Sequence, residues 1–95
     1  MDFRKSKRYN YTATGLLEDI GEGNLVYGEM KNYSHDGMYF ETETAFKPET
    51  TVNITLDKPL DRFPIKDFKA NVRWCKELFG EMGSMYRFGL GVQFI

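Results

Sequence analysis

Two basic residues near the start of the chain have the type and spacing of half a ligand clamp. Arg4 and Arg8 lie four residues apart in a stretch that also contains two lysines. An arginine guanidinium is a planar fork of donors that fits phosphate oxygens and also the O6 and N7 acceptors of guanine. The pair could therefore approach one bound molecule from neighbouring points and contact both halves of a guanine nucleotide.

A second polar group follows about two predicted strands later, in residues 32–37. Asn32 and Ser34 lie two apart, on one side of an extended segment, and offer an amide and a hydroxyl to the edge of a base. Gly37 would supply a backbone conformation with positive φ, or the clearance that a bulky ligand needs. Together the two groups predict a site formed by Arg4, Arg8, Asn32, Ser34 and Gly37.

Each group also has a simpler interpretation. A short basic stretch is more often a solvated terminus than a site. Residues 32–37 also suit an ordinary hairpin turn, in which asparagine and serine side chains satisfy the turn backbone. That second interpretation is compatible with binding, because a ligand can use the same turn. The presence of both groups in one chain favours the ligand clamp.

The composition predicts one small globular domain spanning residues 1–95. The chain is 41% hydrophobic, 28% charged and 16% aromatic, and its net charge is −1. This balance does not support a general nucleic-acid binder, whose affinity rests on many phosphate contacts. Four of the first eight residues are basic, however, whereas acidic residues are spread through residues 18–49. The asymmetry favours a small anionic ligand over a long polyanion.

Cysteine and histidine usage argues against several classes of function. Cys75 is the only cysteine and His35 the only histidine, so neither a disulfide nor a cysteine-based metal site can form within the chain. No carboxylate pair, activated nucleophile or metal-ligand cluster occurs at a usable spacing. The sequence also lacks an apolar run long enough for a membrane span or a secretory signal. We therefore expect a cytoplasmic, non-enzymatic protein without metal or cofactor.

Alternating hydrophobicity predicts six strands and no convincing helix. The predicted strands cover residues 9–17, 25–31, 38–42, 52–57, 68–75 and 86–94. Such a pattern is typical of an all-β fold, here a six-stranded antiparallel β-barrel over residues 9–95, with residues 1–8 as a flexible arm. Closure would also remove the exposed edges that a flat aromatic-rich sheet leaves open to aggregation.

The same alternation assigns faces to the last two strands. Trp74 is in phase with Ala70 and Val72, which predicts a core residue rather than a base-stacking one. Gly89 and Gly91 share the outward face of the last strand. There they either relieve strand curvature or leave room for another backbone or a ligand to approach closely, and we favour the first explanation.

The two polar groups together resemble the signature of the PilZ domain, a bacterial receptor for cyclic di-GMP. The family pattern Arg-x-x-x-Arg followed by Asp/Asn-x-Ser-x-x-Gly stands here as Arg4-Lys-Ser-Lys-Arg8 and Asn32-Tyr-Ser-His-Asp-Gly37. Residues 72–74 and 88–94 resemble the closing strands of the family, so the resemblance covers nearly the whole chain. It implies a PilZ-like split barrel.

The resemblance also implies a role for each site residue. Arg4 and Arg8 would bind the phosphates and the Hoogsteen edges of guanine, Asn32 and Ser34 would contact a guanine, and Gly37 would shape the turn. The implied protein is a regulatory module whose arm folds over cyclic di-GMP and signals to an effector protein or a covalently linked output domain. The alternative is a small β-barrel adaptor that binds a protein partner or single-stranded nucleic acid without cyclic di-GMP.

Overall fold

The computed structural model describes residues 7–80 and 84–95, and all its regular structure in these ranges is strand. Six antiparallel strands follow the predicted ones to within two residues at each end. They are β1 (Tyr9–Asp19), β2 (Leu25–Tyr33), β3 (Gly37–Thr42), β4 (Thr51–Leu56), β5 (Asp67–Glu77) and β6 (Phe88–Phe94). The all-β prediction is thus confirmed. Of the predicted arm, only Lys7 and Arg8 are described, and Arg4 lies outside the described residues.

The strands form a closed barrel in the order β1-β2-β3-β6-β5-β4, with β4 paired back onto β1. Every neighbouring pair is antiparallel. The last strand, β6, lies between β3 and β5. Because β3 begins directly after residues 34–36, β6 runs beside the turn that these residues form. The order also leaves no unpaired strand edge among these six strands.

The barrel interior is filled by the apolar side chains that alternate along each strand. Phe40 and Leu90 are fully buried opposite each other on β3 and β6, and Leu17 and Ile54 are equally buried on β1 and β4. Their polar neighbours along the strands face outward. The core therefore fixes the register of all six strands, since a slip of one residue would turn the apolar set towards water.

A bulge in β5 reverses the predicted faces at its end. Val72 pairs with Val92, but the next pair of β5 and β6 joins Trp74 to Gly91, so Arg73 is an extra residue. Beyond the bulge, Trp74 lies outside the barrel with 43% of its surface exposed, and Cys75 packs against the core. The prediction of Trp74 as a core residue is wrong, because one inserted residue inverts the alternation that follows it.

The loop after β4 is held against the start of β1, where the arm joins the barrel. Tyr11 donates a hydrogen bond to the carbonyl of Pro59 at 2.8 Å, and the hydroxyl of Tyr33 donates to Asp61. The guanidinium of Arg62 lies 4.1 Å from the centre of the Tyr9 ring. Burial, followed by the hydrogen bond to Asp61, raises the pKa of Tyr33 to about 12. These contacts fix the backbone from which Arg8 projects.

Candidate functional site

The described half of the basic pair contacts the second polar group directly. Arg8 donates from Nε and Nη2 to the side-chain carbonyl of Asn32, at 3.0 and 2.6 Å, and from Nη1 to the hydroxyl of Ser34, at 3.2 Å. The pairing of Tyr9 with Tyr33 at the ends of β1 and β2 causes this proximity, because it sets residue 8 beside residue 34. The structure thus brings together Arg8, Asn32 and Ser34.

Ser34 is also part of the turn between β2 and β3. Its residue is only 1% exposed, its N–H donates to the carbonyl of Gly37 at 2.9 Å, and its hydroxyl donates to the carboxylate of Asp36. The N–H of Asp36 in turn donates to the Ser34 hydroxyl at 3.3 Å. Ser34 therefore satisfies the turn and holds Arg8 at the same time, so the simpler interpretation of this segment is correct but incomplete.

The structure tests one of the two properties predicted for Gly37, which are a positive φ or clearance for a bulky ligand. The only described glycines with positive φ are Gly23 and Gly80, so the prediction of a positive φ at Gly37 is wrong. A Cβ on Gly37 would instead lie 2.2 Å from the backbone carbonyl oxygen of Val92. The clearance at this position admits the neighbouring strand β6, and any larger residue would push β3 and β6 apart.

A surface groove begins at these residues and crosses the outside of β3, β6 and β5. Its volume is about 410 Å³, and its lining includes Arg8, Asn32, Gly37, Tyr39, Gly91 and Trp74. This volume is within the range of small-molecule sites, roughly 300–1,000 Å³. Among the described residues of the predicted site, Arg8, Asn32 and Gly37 line the groove, and Ser34 contacts Arg8 at its edge.

Two aromatic rings form one wall of the groove, and we call this pair the aromatic platform. Tyr39 and Trp74 are stacked with their ring centres 5.8 Å apart and their planes at 27°. They lie on either side of Gly91, which is the strand partner of both. A flat aromatic surface open to solvent is suited to stacking against a nucleobase.

The platform explains the two outward glycines of β6. A Cβ on Gly91 would lie 2.1 Å from Nε1 of Trp74, and a Cβ on Gly89 would lie 2.7 Å from the hydroxyl of Tyr39. The glycines therefore make room for aromatic side chains of the same barrel. The groups that approach are side chains, whereas the second explanation named another backbone or a ligand. The curvature explanation stays a prediction.

Sequence reasoning missed three residues that the groove brings together with Arg8. Arg73 lies in the groove and donates from Nε to Gln93 at 2.6 Å, and it also pairs with Glu49 at 3.4 Å. Asp36 adds a carboxylate, and Tyr39 adds a ring. Asp36 could have been inferred from its place inside the turn motif. The positions of Arg73 and Tyr39 depend on the β5 bulge and on pairing across three strands.

The described residues hold no group of three or more histidine, cysteine, aspartate or glutamate side chains arranged to bind a metal ion. In the same part of the chain there is no helix with the length and apolar character to cross a membrane.

Comparisons with known proteins agree with the fold. One structural neighbour is the PilZ domain of YcgR from Escherichia coli, solved with c-di-GMP, with a TM-score of 0.72 and 14% identity over 99% of this chain and 79% of that one. Another is the Bacillus subtilis inhibitor of motility MotI/DgrA, with a TM-score of 0.71 and 10% identity over 100% of this chain and 43% of that one.

At these identities the two structures show a shared barrel, and this chain spans less than half the length of the motility inhibitor. A search of curated protein sequences gave no match. The family model described as the PilZ domain, however, matches residues 2–95. The match covers both polar groups and all six strands. The chain therefore belongs to the PilZ domain family.

Proposed function

We propose that this chain is a receptor module for cyclic di-GMP, which binds in the groove beside the aromatic platform. The observation that carries the proposal is the contact of Arg8 with both Asn32 and Ser34, because it joins the two halves of the family signature at the start of one groove. The PilZ domain of YcgR, which has this fold, was solved with c-di-GMP.

The chemistry of the groove suits both parts of the ligand. Cyclic di-GMP carries two phosphates and two guanine bases. The forks of Arg8 and Arg73 match phosphate oxygens or the Hoogsteen edge of guanine, whereas the ring of Trp74 matches the flat face of a base. Asn32 supplies an amide at the turn side of the groove. We propose that both arginines contact the ligand. Arg8 does so from the position where the arm joins β1, and Arg4 from within the arm.

The ligand would act as a signal rather than as a substrate. Arg8 is held by Asn32 and Ser34, so a bound phosphate would take over some of these hydrogen bonds and draw the arm over the groove. An ordered arm presents a surface that an effector protein or a linked output domain can recognise. In this proposal the protein is a non-catalytic regulatory module of the cytoplasm.

The exposed platform also favours a second candidate function. Trp74 and Tyr39 lie near two arginines, and such an arrangement can stack and neutralise a single-stranded nucleic acid. The net charge of −1 weighs against it, because affinity for a strand grows with the number of neutralised phosphates. A protein-binding adaptor has no comparable observation in its favour.

Calorimetric titration separates these functions. The purified chain is titrated with cyclic di-GMP, cyclic di-AMP, GTP and a short single-stranded RNA at one salt concentration. We expect saturable binding of cyclic di-GMP and at least about tenfold weaker binding of the other three, because guanine edges and paired phosphates are read together. Binding of RNA alone, or of all four alike, would overturn the receptor proposal.

A further inference from the structure

Glu41 is a nearly buried carboxylate on the outer face of β3, next to the groove but outside its lining. It is only 9% exposed, although it alternates with the core residues Phe40 and Thr42 and so points away from the barrel interior. A carboxylate removed from water is costly unless donors compensate it. The groups around Glu41 supply that compensation.

Two hydrogen-bond donors and one cation surround the Glu41 carboxylate. Tyr39 donates to Oε2 at 2.9 Å and Ser84 donates to Oε1 at 3.0 Å. The ammonium of Lys31 lies 3.8 Å from Oε1 and also pairs with Glu29. The pKa of Lys31 is raised, first by its hydrogen bond to Glu29 and also by the charge of Glu41, whereas burial opposes the rise. Glu41 therefore has two neutral hydrogen-bond donors and shares the positive charge of Lys31 with Glu29.

These contacts bear on the groove because Tyr39 is half of the aromatic platform. The hydroxyl end of its ring lies over Gly89, which is the strand partner of Glu41. The ring itself stacks on Trp74. Glu41 therefore holds the Tyr39 ring at its far end, the missing side chain of Gly89 lets the ring lie flat, and Trp74 supports the ring from the side.

We propose that Glu41 is a positioning residue, which holds Tyr39 and through it Trp74 in the orientation that a base can stack on. For its effect on affinity this inference rests on the proposed binding of cyclic di-GMP. A wall held in place before the ligand arrives avoids the entropy cost of ordering two aromatic side chains on binding. Ser84, shortly before β6, donates to the same carboxylate.

The direction in which Glu41→Gln changes the affinity for cyclic di-GMP distinguishes a positioning role from a purely electrostatic one. A carboxylate near the groove repels an anionic ligand, so Glu41→Gln would tighten binding if charge were its only influence. If Glu41 positions the platform, Glu41→Gln weakens binding, because one of two acceptor oxygens is replaced by an amide nitrogen. Tyr39→Phe should have the same effect, since it removes the hydroxyl and keeps the ring.

The experiment measures cyclic di-GMP affinity and Trp74 fluorescence in the wild type, Glu41→Gln, Tyr39→Phe and the double variant. We expect each single change to weaken binding about threefold to tenfold and the double variant to be no weaker than the worse single one, because both act on the same contact between Tyr39 and Glu41. Glu18→Gln, an exposed acid on β1 outside the groove, is the matched control and should leave affinity unchanged. Equal or tighter binding by Glu41→Gln would overturn the inference.

Trp74, the only tryptophan, gives a readout that does not need the ligand. Both single variants should increase the access of acrylamide to Trp74 and lower its fluorescence anisotropy in the ligand-free protein, with thermal unfolding confirming that each variant is folded. Unchanged quenching in both folded variants would overturn the inference even where the wild type binds cyclic di-GMP. Failure of the wild type to bind would instead refute the proposed function, and the quenching result would still decide the role of Glu41.

Discussion

The guanidinium of Arg8 donates two hydrogen bonds to one acceptor, the side-chain carbonyl of Asn32. The two residues are 24 positions apart in sequence, and the pairing of β1 with β2 brings them together. Because the fork is already held at the groove, a ligand does not have to order this side chain. The ligand instead has to replace the Asn32 carbonyl as the acceptor of the Arg8 hydrogen bonds. The stronger the Arg8–Asn32 contact, the lower the affinity for the ligand should therefore be.

Arg8→Ala should weaken cyclic di-GMP binding at least about tenfold, because a charge-assisted bidentate contact contributes about 1.5–3 kcal/mol. Arg4→Ala is expected to have an effect of similar size. Calorimetry on both variants is the measurement, and Lys7→Ala is the control, since it removes a charge from the same stretch without a fork. If Lys7→Ala were as damaging as Arg8→Ala, diffuse attraction rather than a specific clamp would explain binding.

Ser34→Ala should cost both affinity and stability. The hydroxyl contacts Arg8 and also closes the turn with Asp36, and the residue is almost fully buried. We expect binding to weaken about twofold to fivefold and the free energy of unfolding to fall by about 1 kcal/mol, the usual loss for a buried hydrogen bond. Urea denaturation and calorimetry measure the two effects. A loss of stability with unchanged affinity per folded molecule would make Ser34 a turn residue only.

Trp74→Ala should weaken binding of cyclic di-GMP by about 1–3 kcal/mol, the contribution of stacking one base on an aromatic ring. Its effect on unfolding should be smaller, since the ring lies outside the core. Tyr27→Ala is a suitable control, because Tyr27 is an exposed aromatic residue of β2 that does not line the groove. Equal affinities of wild type and Trp74→Ala would exclude the platform from the ligand site.

Gly91→Ala should displace Trp74, because a methyl group would occupy the space of its indole nitrogen. We expect a destabilisation of about 1–3 kcal/mol, as for other overpacking substitutions, and a change in Trp74 emission. In a Trp74→Ala background the same glycine substitution should cost much less. If Gly91→Ala destabilised the protein equally in both backgrounds, the strain would lie in the β6 backbone and not in the contact with the Trp74 ring.

Tyr33 should make the barrel sensitive to alkaline pH. Its pKa is raised to about 12, chiefly by burial. An unfolded tyrosine ionises near pH 10, so above about pH 10 the unfolded state loses its proton first and the free energy of unfolding falls as pH rises. Lys31 acts in the same direction, because its pKa is also raised.

Urea denaturation of the wild type and Tyr33→Phe from neutral to strongly alkaline pH checks this prediction. Tyr33→Phe should be less stable near neutral pH, because Asp61 loses its donor, but its stability should decline less steeply in the alkaline range. Parallel declines in the two proteins would mean that another group controls the alkaline loss.

Alternating hydrophobicity predicts the six strands because each of them buries one face in the same core. It also predicts the turn that contains Ser34, since residues 34–36 separate two recognisable strands, and Asn32 lies at the end of the first of them. The PilZ resemblance then predicts ligand-binding roles for Asn32, Ser34 and Gly37, of which Asn32 and Gly37 line the groove. These features depend on local sequence, which is why they could be predicted.

The wall of the groove depends on relationships between strands. Trp74 lies outside because a single bulged residue, Arg73, inverts the pattern beyond Val72, and nothing in the alternation marks the bulge. Tyr39 and Trp74 are 35 positions apart and meet only because β6 is inserted between β3 and β5 with Gly91 at the meeting point. The environment of the Glu41 carboxylate also depends on distant residues, because Lys31 comes from β2 and Ser84 follows β5, whereas Tyr39 lies on the same strand.

The two bare positions on β6 also supply a rule for comparing this chain with other PilZ sequences. A side chain at position 91 would occupy the space of the ring at position 74. A side chain at position 89 would likewise occupy the space of the ring at position 39. Members that keep the aromatic platform should therefore keep small residues at both β6 positions, and members with a bulky residue there should have exchanged the aromatic one. Correlated exchange at these positions across the family would identify which PilZ domains share this form of groove.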